Sequence, residues 1–185
     1  RLSGEHKTVG PTAREFWVGL SIQSLSTPYI EIRQILDRLD PQPGETLVDL
    51  GASYGRIAHV MARHFNGVNF IGFEFVQERV TEGLRIIQLQ RLKNARLEQA
   101  DLASPDFKPP RAEYYFIYDF GSREDVDKCV HDLRSLAKPE RPITVVGRGG
   151  RVRDVIEKDH AWLSQVVSPE HCGRYSIYRS AGLSF

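Results

Sequence analysis

The sequence predicts an α/β fold: a seven-stranded, mostly parallel sheet with helices on both faces and a terminal antiparallel strand pair. Three observations predict it. From Thr46 onward, short apolar runs alternate with amphipathic runs, as in strand–helix units that pair in parallel and connect right-handedly. The turn after the first of these strands carries two glycines four apart, Gly51 and Gly55. The last two apolar runs are joined by a segment too short to hold a helix, so they pair antiparallel.

The elements follow in chain order. Thr12-Ala13-Arg14-Glu15 has the form of a capping box opening a short helix through Phe16, Trp17 and Leu20. Thr27-Pro28 reads as a second helix start, with proline at the first helical position. Ile32, Ile35, Leu36 and Leu39 then recur at the spacing of one buried helix face. Residues 40–45 (DPQPGE) form a connector, because two prolines and a glycine cannot continue a helix. Residues 1–45 are thus expected to form an N-terminal helical extension or lid, and residues 46–185 the main domain.

Residues 47–50 are the first strand, and Ile57, Val60, Met61 and Phe65 mark the buried face of the helix after it. Residues 68–75 (VNFIGFEF) are the second strand, followed by a helix through Val76, Val80, Leu84 and Ile87. Residues 95–101 and 113–120 (EYYFIYDF) are the third and fourth. A helix spans 123–136, a fifth strand 142–147 (PITVVG), and a short helix 152–159. The closing strands are 162–168 (WLSQVVS) and 173–180 (GRYSIYRS), joined through Pro169, Glu170, His171 and Cys172. Tyr114, Tyr115 and Tyr118 read as sheet packing. Neither internal repeats nor low-complexity stretches interrupt the pattern.

Composition narrows the function class. The chain has 185 residues, 41% of them hydrophobic and 26% charged, which suits one soluble domain with a real core. A net charge of +1 makes no general case for nucleic acid or an acidic membrane surface. Cys129 and Cys172 have neither CxxC nor metal-ligand spacing and read as free thiols of a reducing compartment, so a cytoplasmic location is expected. No apolar run reaches about 18 residues, so no membrane span is expected. The histidines show no HExxH spacing, and no metal site is expected. The chain opens on Arg1 rather than methionine, which predicts preceding sequence; no signal peptide is seen in what remains.

The turn after the first strand carries the chemistry. Gly51 admits close approach to the main chain, and Gly55 is expected to let the next helix pack close to the strand. A dinucleotide fold would show G-x-G-x-x-G there, whereas this chain has Gly51-Ala52-Ser53-Tyr54-Gly55 preceded by Asp49. An acid at that strand end repels a pyrophosphate and suits an ammonium group. Glu74, 25 residues after Asp49, can accept both hydroxyls of a ribose. Asp101 can accept from an adenine amine, with Leu102 against the base. Three acids at three strand ends suit an adenosine with a positively charged tail. Asp119, at the end of the fourth strand, either deprotonates an amine or caps the following helix. Arg148, Arg151 and Arg153 lie in a glycine-rich loop that either contacts phosphate or an acidic partner, or is simply solvated.

These residues carry a resemblance. "VDLGASYGRI", "IGFEF", "ADL" and a strand ending "YDF" resemble the successive motifs of class I S-adenosylmethionine-dependent methyltransferases, over about residues 27 to 180. The resemblance implies a Rossmann-like sheet whose last strand inserts between the fifth and sixth, and S-adenosylmethionine as cofactor. It implies that Asp49, Gly51, Ala52, Ser53, Tyr54 and Gly55 surround the methionine moiety, that Glu74 and Phe75 meet the ribose, and that Asp101 and Leu102 meet the adenine. Asp119 would lie where the reacting methyl sits. Ser53 stands where many members have glycine, which is tolerable with ordinary backbone angles. The Asn-Pro-Pro-Tyr signature of amide and adenine-amine methyltransferases is absent.

A narrower resemblance joins "TPYIEIRQIL" to the same motifs and is similar to non-SET-type lysine methyltransferases. It implies that Thr27, Pro28 and Tyr29 help close over the cofactor, that Tyr29 and Asp119 are the catalytic candidates, and that the partner is a protein substrate methylated on lysine. Three rivals stand beside it. Methylation of a small molecule or RNA would use Arg148, Arg151 and Arg153 as footprint for RNA, against a near-neutral charge. A non-catalytic binding module would explain Ser53 and the Tyr-Asp-Phe ending. A nicotinamide dehydrogenase is disfavoured by the missing G-x-G-x-x-G.

Overall fold

Alternate residues along the apolar runs bury on opposite sides, and this period of two builds a sheet covered on both faces. The structure, a computed structural model, describes residues 26–180; the capping box at Thr12 and Glu15 and its helix lie outside the described residues. In β1 (Thr46–Leu50), Leu47 joins one apolar cluster while Val48 and Leu50 join the other. In β4 (Tyr114–Tyr118), Phe116 goes one way and Tyr115 and Ile117 the other. The remaining strands are β2 (Asn69–Glu74), β3 (Ala95–Gln99), β5 (Thr144–Arg148), β6 (Glu170–Cys172) and β7 (Tyr175–Arg179).

The sheet order is β3-β2-β1-β4-β5-β7-β6. Every pairing is parallel except those of β7, which runs antiparallel to both β5 and β6. The expected insertion of the last strand is therefore present. Helices α1 (Tyr29–Leu39), α2 (Arg56–His64) and α3 (Gln77–Leu89) supply one apolar cluster. Helices α4 (Arg123–Arg134) and α5 (Gly150–Asp159) supply the other.

Local departures from the sequence reading have physical causes. Helix α1 buries Ile32, Ile35, Leu36 and Leu39 as its spacing predicts. Its start differs: Pro28 stands one residue before the helix, no side chain caps it, and Thr27 is buried. The sixth strand is displaced. Residues 162–168 form no strand; Ala161–Leu163 make a 3-10 turn that buries Leu163, while Val166 is 53% exposed. The strand forms instead from Glu170 to Cys172, inside the segment read as a connection. Gly173, at φ 70°, begins a two-residue turn into β7, and so tight a hairpin leaves no room for a longer link. The antiparallel pair is present with its first member shifted along the chain. Among the described residues no helix is long and apolar enough to cross a membrane.

Gly72 in β2 pairs in register with Asp49 and lies under the turn after β1. A Cβ there would lie 2.7 Å from both Ala52 Cβ and Leu97 Cδ1. Ala52 Cβ is fixed to backbone and cannot swing away. Gly72→Ala is expected to lower unfolding free energy by about 1–3 kcal/mol, read from urea denaturation.

Candidate functional site

The strand order reverses between β1 and β4, and in such sheets ligands bind beyond the carboxyl ends of the strands at that point. The turn at residues 51–55 lies there. Gly51 N and Ala52 N donate to the Phe73 carbonyl at 2.9 and 2.8 Å, which folds the turn onto the end of β2. Gly51 and Gly55 take φ of 99° and 73°, angles that penalise any L side chain. A Cβ on Gly55 would approach nothing nearer than 3.8 Å. Its backbone angle requires glycine, and the expected close approach is made elsewhere, at Gly72 and at Gly83, whose Cβ would lie 2.5 Å from Leu97. Ser53 does not have ordinary backbone angles: its φ is 50°. Its N–H donates to Glu74 Oε2 at 2.9 Å, which holds the left-handed conformation.

Two carboxyl groups lie beside this turn. Asp49 is 5% exposed, and no donor among the described residues bonds to its carboxyl. Burial, and then the nearby Glu74 carboxylate, push its pKa up to about 8. At neutral pH it carries a proton unless a positive charge is brought to it. Glu74 is equally buried, but its oxygens are shared out: Oε2 accepts from Ser53 N, Oε1 accepts from Val76 N at 2.9 Å, and Arg79 stands 3.5 Å away. Phe75, next along, is 46% exposed. Tyr54 is half-buried.

The other candidate residues are placed around this centre. Asp101 lies two residues past the end of β3 in an Asx turn, Oδ1 accepting from Ala103 N at 3.0 Å. Leu102 is buried in the cluster under α4, and its carbonyl accepts from Lys128 Nζ at 3.1 Å. Asp119 caps a helix, but not the following one. Its Oδ1 accepts from Val152 N at 2.8 Å and its Oδ2 from Arg151 N at 3.3 Å, which starts α5 two residues earlier than the sequence predicts. Helix α4 has its own capping box from Ser122 and Asp125. Phe120 comes within 3.9 Å of where a Cβ of Gly51 would stand, so the end of β4 flanks the glycine turn.

Tyr29 is 52% exposed, its ring 5.2 Å beneath the guanidinium of Arg56, the first residue of α2. The start of α1 is thereby set against the helix that follows the glycine turn. Two residues on, Glu31 accepts from Arg148 Nε at 2.5 Å, and that buried guanidinium lies 4.3 Å over the Tyr118 ring. Arg148 and Arg153 line one cleft, and Arg151 is not among its lining residues. Arg151 donates to the Gly121 carbonyl, and Arg153 pairs with Glu157 at 2.9 Å. The Glu31–Arg148 pair spans 117 residues and has no local spacing that sequence could show. A cleft of about 510 Å³ opens beside it, bounded among others by Tyr118, Asp119, Arg148, Arg153, Arg174 and Tyr175.

Neither a protein-family model nor a curated protein matches the chain. Solved structures match it in fold. An RNA methyltransferase from Salinibacter ruber, in complex with S-adenosyl-L-homocysteine, superposes with a TM-score of 0.61 at 20% identity, covering 83% of this chain and 91% of that one. A SAM-dependent methyltransferase from Aquifex aeolicus superposes with a TM-score of 0.61 at 16% identity, covering 86% and 97%. TrmN from Thermus thermophilus gives 0.61 at 14%, covering 82% of this chain and 48% of that one. The fold is that of the class I, seven-strand methyltransferases.

Two expectations follow from the turn. Ser53→Gly removes the cost of a left-handed non-glycine residue and should stabilise the protein by about 1 kcal/mol in urea denaturation. Asp49 binds its proton more tightly folded than unfolded. Its contribution to stability therefore falls as pH rises from about 4 to about 8, and levels off above. The slope is at most about 1.4 kcal/mol per pH unit. Asp49→Asn should flatten the pH–stability profile across that window and leave the variant the more stable of the two at pH 8.

Proposed function

We propose that this chain is an S-adenosylmethionine-dependent methyltransferase, with the cofactor's methionine end over the turn at residues 51–55. The observation that carries this reading is Asp49, a buried carboxyl without a hydrogen-bond partner among the described residues, under a glycine turn at the switch point. A ligand cation placed there lets Asp49 ionise and supplies the partner it lacks. A pyrophosphate would instead meet two buried carboxyl groups.

The neighbouring residues fit the rest of that ligand. Each Glu74 oxygen accepts one amide, and a carboxylate has about four acceptor sites, so places remain for two ribose hydroxyls. Phe75 follows Glu74 in the chain and is 46% exposed, on the side where the base would lie. Asp101 reaches the adenine amine from its Asx turn, and Leu102 acts only as core beneath it. The cofactor supplies a methyl group on a sulfonium, and the chain's part is to align it and exclude water. Thr27, which is buried, and Tyr29, whose ring lies beneath Arg56, begin the segment that would close over the cofactor. Asp119 acts as a positioning residue, since both oxygens serve α5.

For the acceptor, a protein lysine draws its support from Thr27, Pro28 and Tyr29. The cleft beside the end of β4 is lined by three arginines and one aspartate, Asp119, whose oxygens both already accept amides of α5. A lysine is therefore the weaker reading.

Calorimetric titration tests the cofactor. S-adenosylmethionine should bind the wild type, and Glu74→Ala should weaken binding by at least about tenfold, about 1.4 kcal/mol. Wild-type affinity should rise with pH between 6 and 8, because binding releases the Asp49 proton, and Asp49→Asn should lose that dependence. Displacement of the ligand by NADH, or no heat from either S-adenosylmethionine or S-adenosylhomocysteine, would refute the proposal.

A further inference from the structure

We infer that the cleft between the end of β4 and the β6–β7 turn binds the anionic group, phosphate or carboxylate, of a small methyl acceptor. The inference rests on the methyltransferase reading, and it adds the chemistry of the molecule to be methylated.

Position comes first. Tyr118 and Asp119 end β4, the glycine-rich stretch from Gly147 to Gly150 ends β5, and Gly173 and Arg174 turn the hairpin into β7. All lie at the carboxyl end of the parallel strands. The cleft borders the cofactor turn through Asp119 and Phe120, which packs beside Gly51. A molecule seated there reaches the place where the cofactor's methyl would lie without crossing the sheet.

Charge decides what can be seated. Three arginines line the cleft, Arg148, Arg153 and Arg174. Three carboxylates stand against them. Both oxygens of Asp119 accept amides of α5. Glu31 is held by Arg148, and both side chains are largely buried. Glu157 pairs with Arg153 at the surface, where such a pair is worth little and yields easily to a better partner. Arg174 has neither an ion pair nor a side-chain hydrogen bond among the described residues. Formally the three positive and three negative groups balance, and Arg174 is the cation left without an ion pair for a ligand to meet. Arg148 cannot swing out, since Glu31 holds its edge and Tyr118 its face, so it forms a fixed floor to the cleft.

The wall admits close approach. A Cβ added at Gly150 or at Gly173 would meet nothing within 4 Å, so the main chain is open to the ligand at both. A volume of about 510 Å³ holds a small molecule and not a nucleic-acid duplex.

The test is an amide-resolved NMR titration of the whole chain at constant ionic strength. The probes are inorganic phosphate in one arm and benzoate in the other. Saturable shifts are expected at Gly147, Gly149, Gly150 and Gly173 with at least one probe. Binding should weaken about fivefold in Arg174→Gln and in Arg153→Gln, and not in Arg33→Gln on the exposed side of α1. The stronger arm identifies the group as phosphate or carboxylate. No saturable shift at these glycines with either probe, or equal affinity in Arg174→Gln and wild type, overturns the inference. S-adenosylhomocysteine is titrated into the same sample and read at Gly51 and Gly55. If it binds while neither anion does, the acceptor inference alone falls. If the anion binds and S-adenosylhomocysteine does not, the cofactor reading falls and the cleft is no acceptor site.

Discussion

The carboxylate of Glu74 joins two turns that would otherwise be independent. One oxygen holds the amide of Ser53 in the turn after β1, and the other holds the amide of Val76 where β2 passes into α3. Hydrogen bonds to a charged, buried acceptor are stronger than those between neutral groups. They fix Ser53 in a conformation it would not choose, and so fix the path from Gly51 to Gly55. The same negative charge, close by and out of water, helps keep the proton on Asp49. Shape and protonation at the switch point thus have a common origin.

Asp49 is a cost to the free protein. Asp49 lies in the middle of the sheet, in register with Gly72 on one strand and Phe116 on the other, and no donor among the described residues bonds to its carboxyl. Such a group destabilises the fold above the pKa of an ordinary aspartic acid, and a cationic ligand relieves it. A stability optimum for the empty protein would place an amide or an apolar residue there. On the proposed function, the acid answers to what it would meet when a cationic ligand is bound.

The alternating strand–helix order was legible because burial has a period of two in strands and of about 3.6 in helices, and both survive in a bare sequence. The positions of Asp49, the two glycines of the turn and Glu74 were legible because a strand's end and a turn's glycines show in the sequence pattern. Three things were not. The sixth strand was hidden because Val166 and Val167 imitate a strand while facing solvent, and the real strand is three residues long. The task of Asp119 was hidden because its partners lie on a helix more than thirty residues away, at Arg151 and Val152. The Glu31–Arg148 pair, which ties the first described helix to the end of β5, is a contact between two surface-type residues that only the folded chain brings together.

The insertion of β7 beside β5 also settles what the sheet shows at its two margins. One margin is β6, only three residues long. The other is β3, which puts Arg96 and Glu98 outward on either side of the buried Leu97. A long, flat, apolar margin invites another chain to add a strand, and from there to fibrous aggregation. Here one margin is too short to template an addition and the other would bury charge against any newcomer. The topology that gathers the carboxyl ends of the parallel strands therefore also protects the sheet from growing sideways.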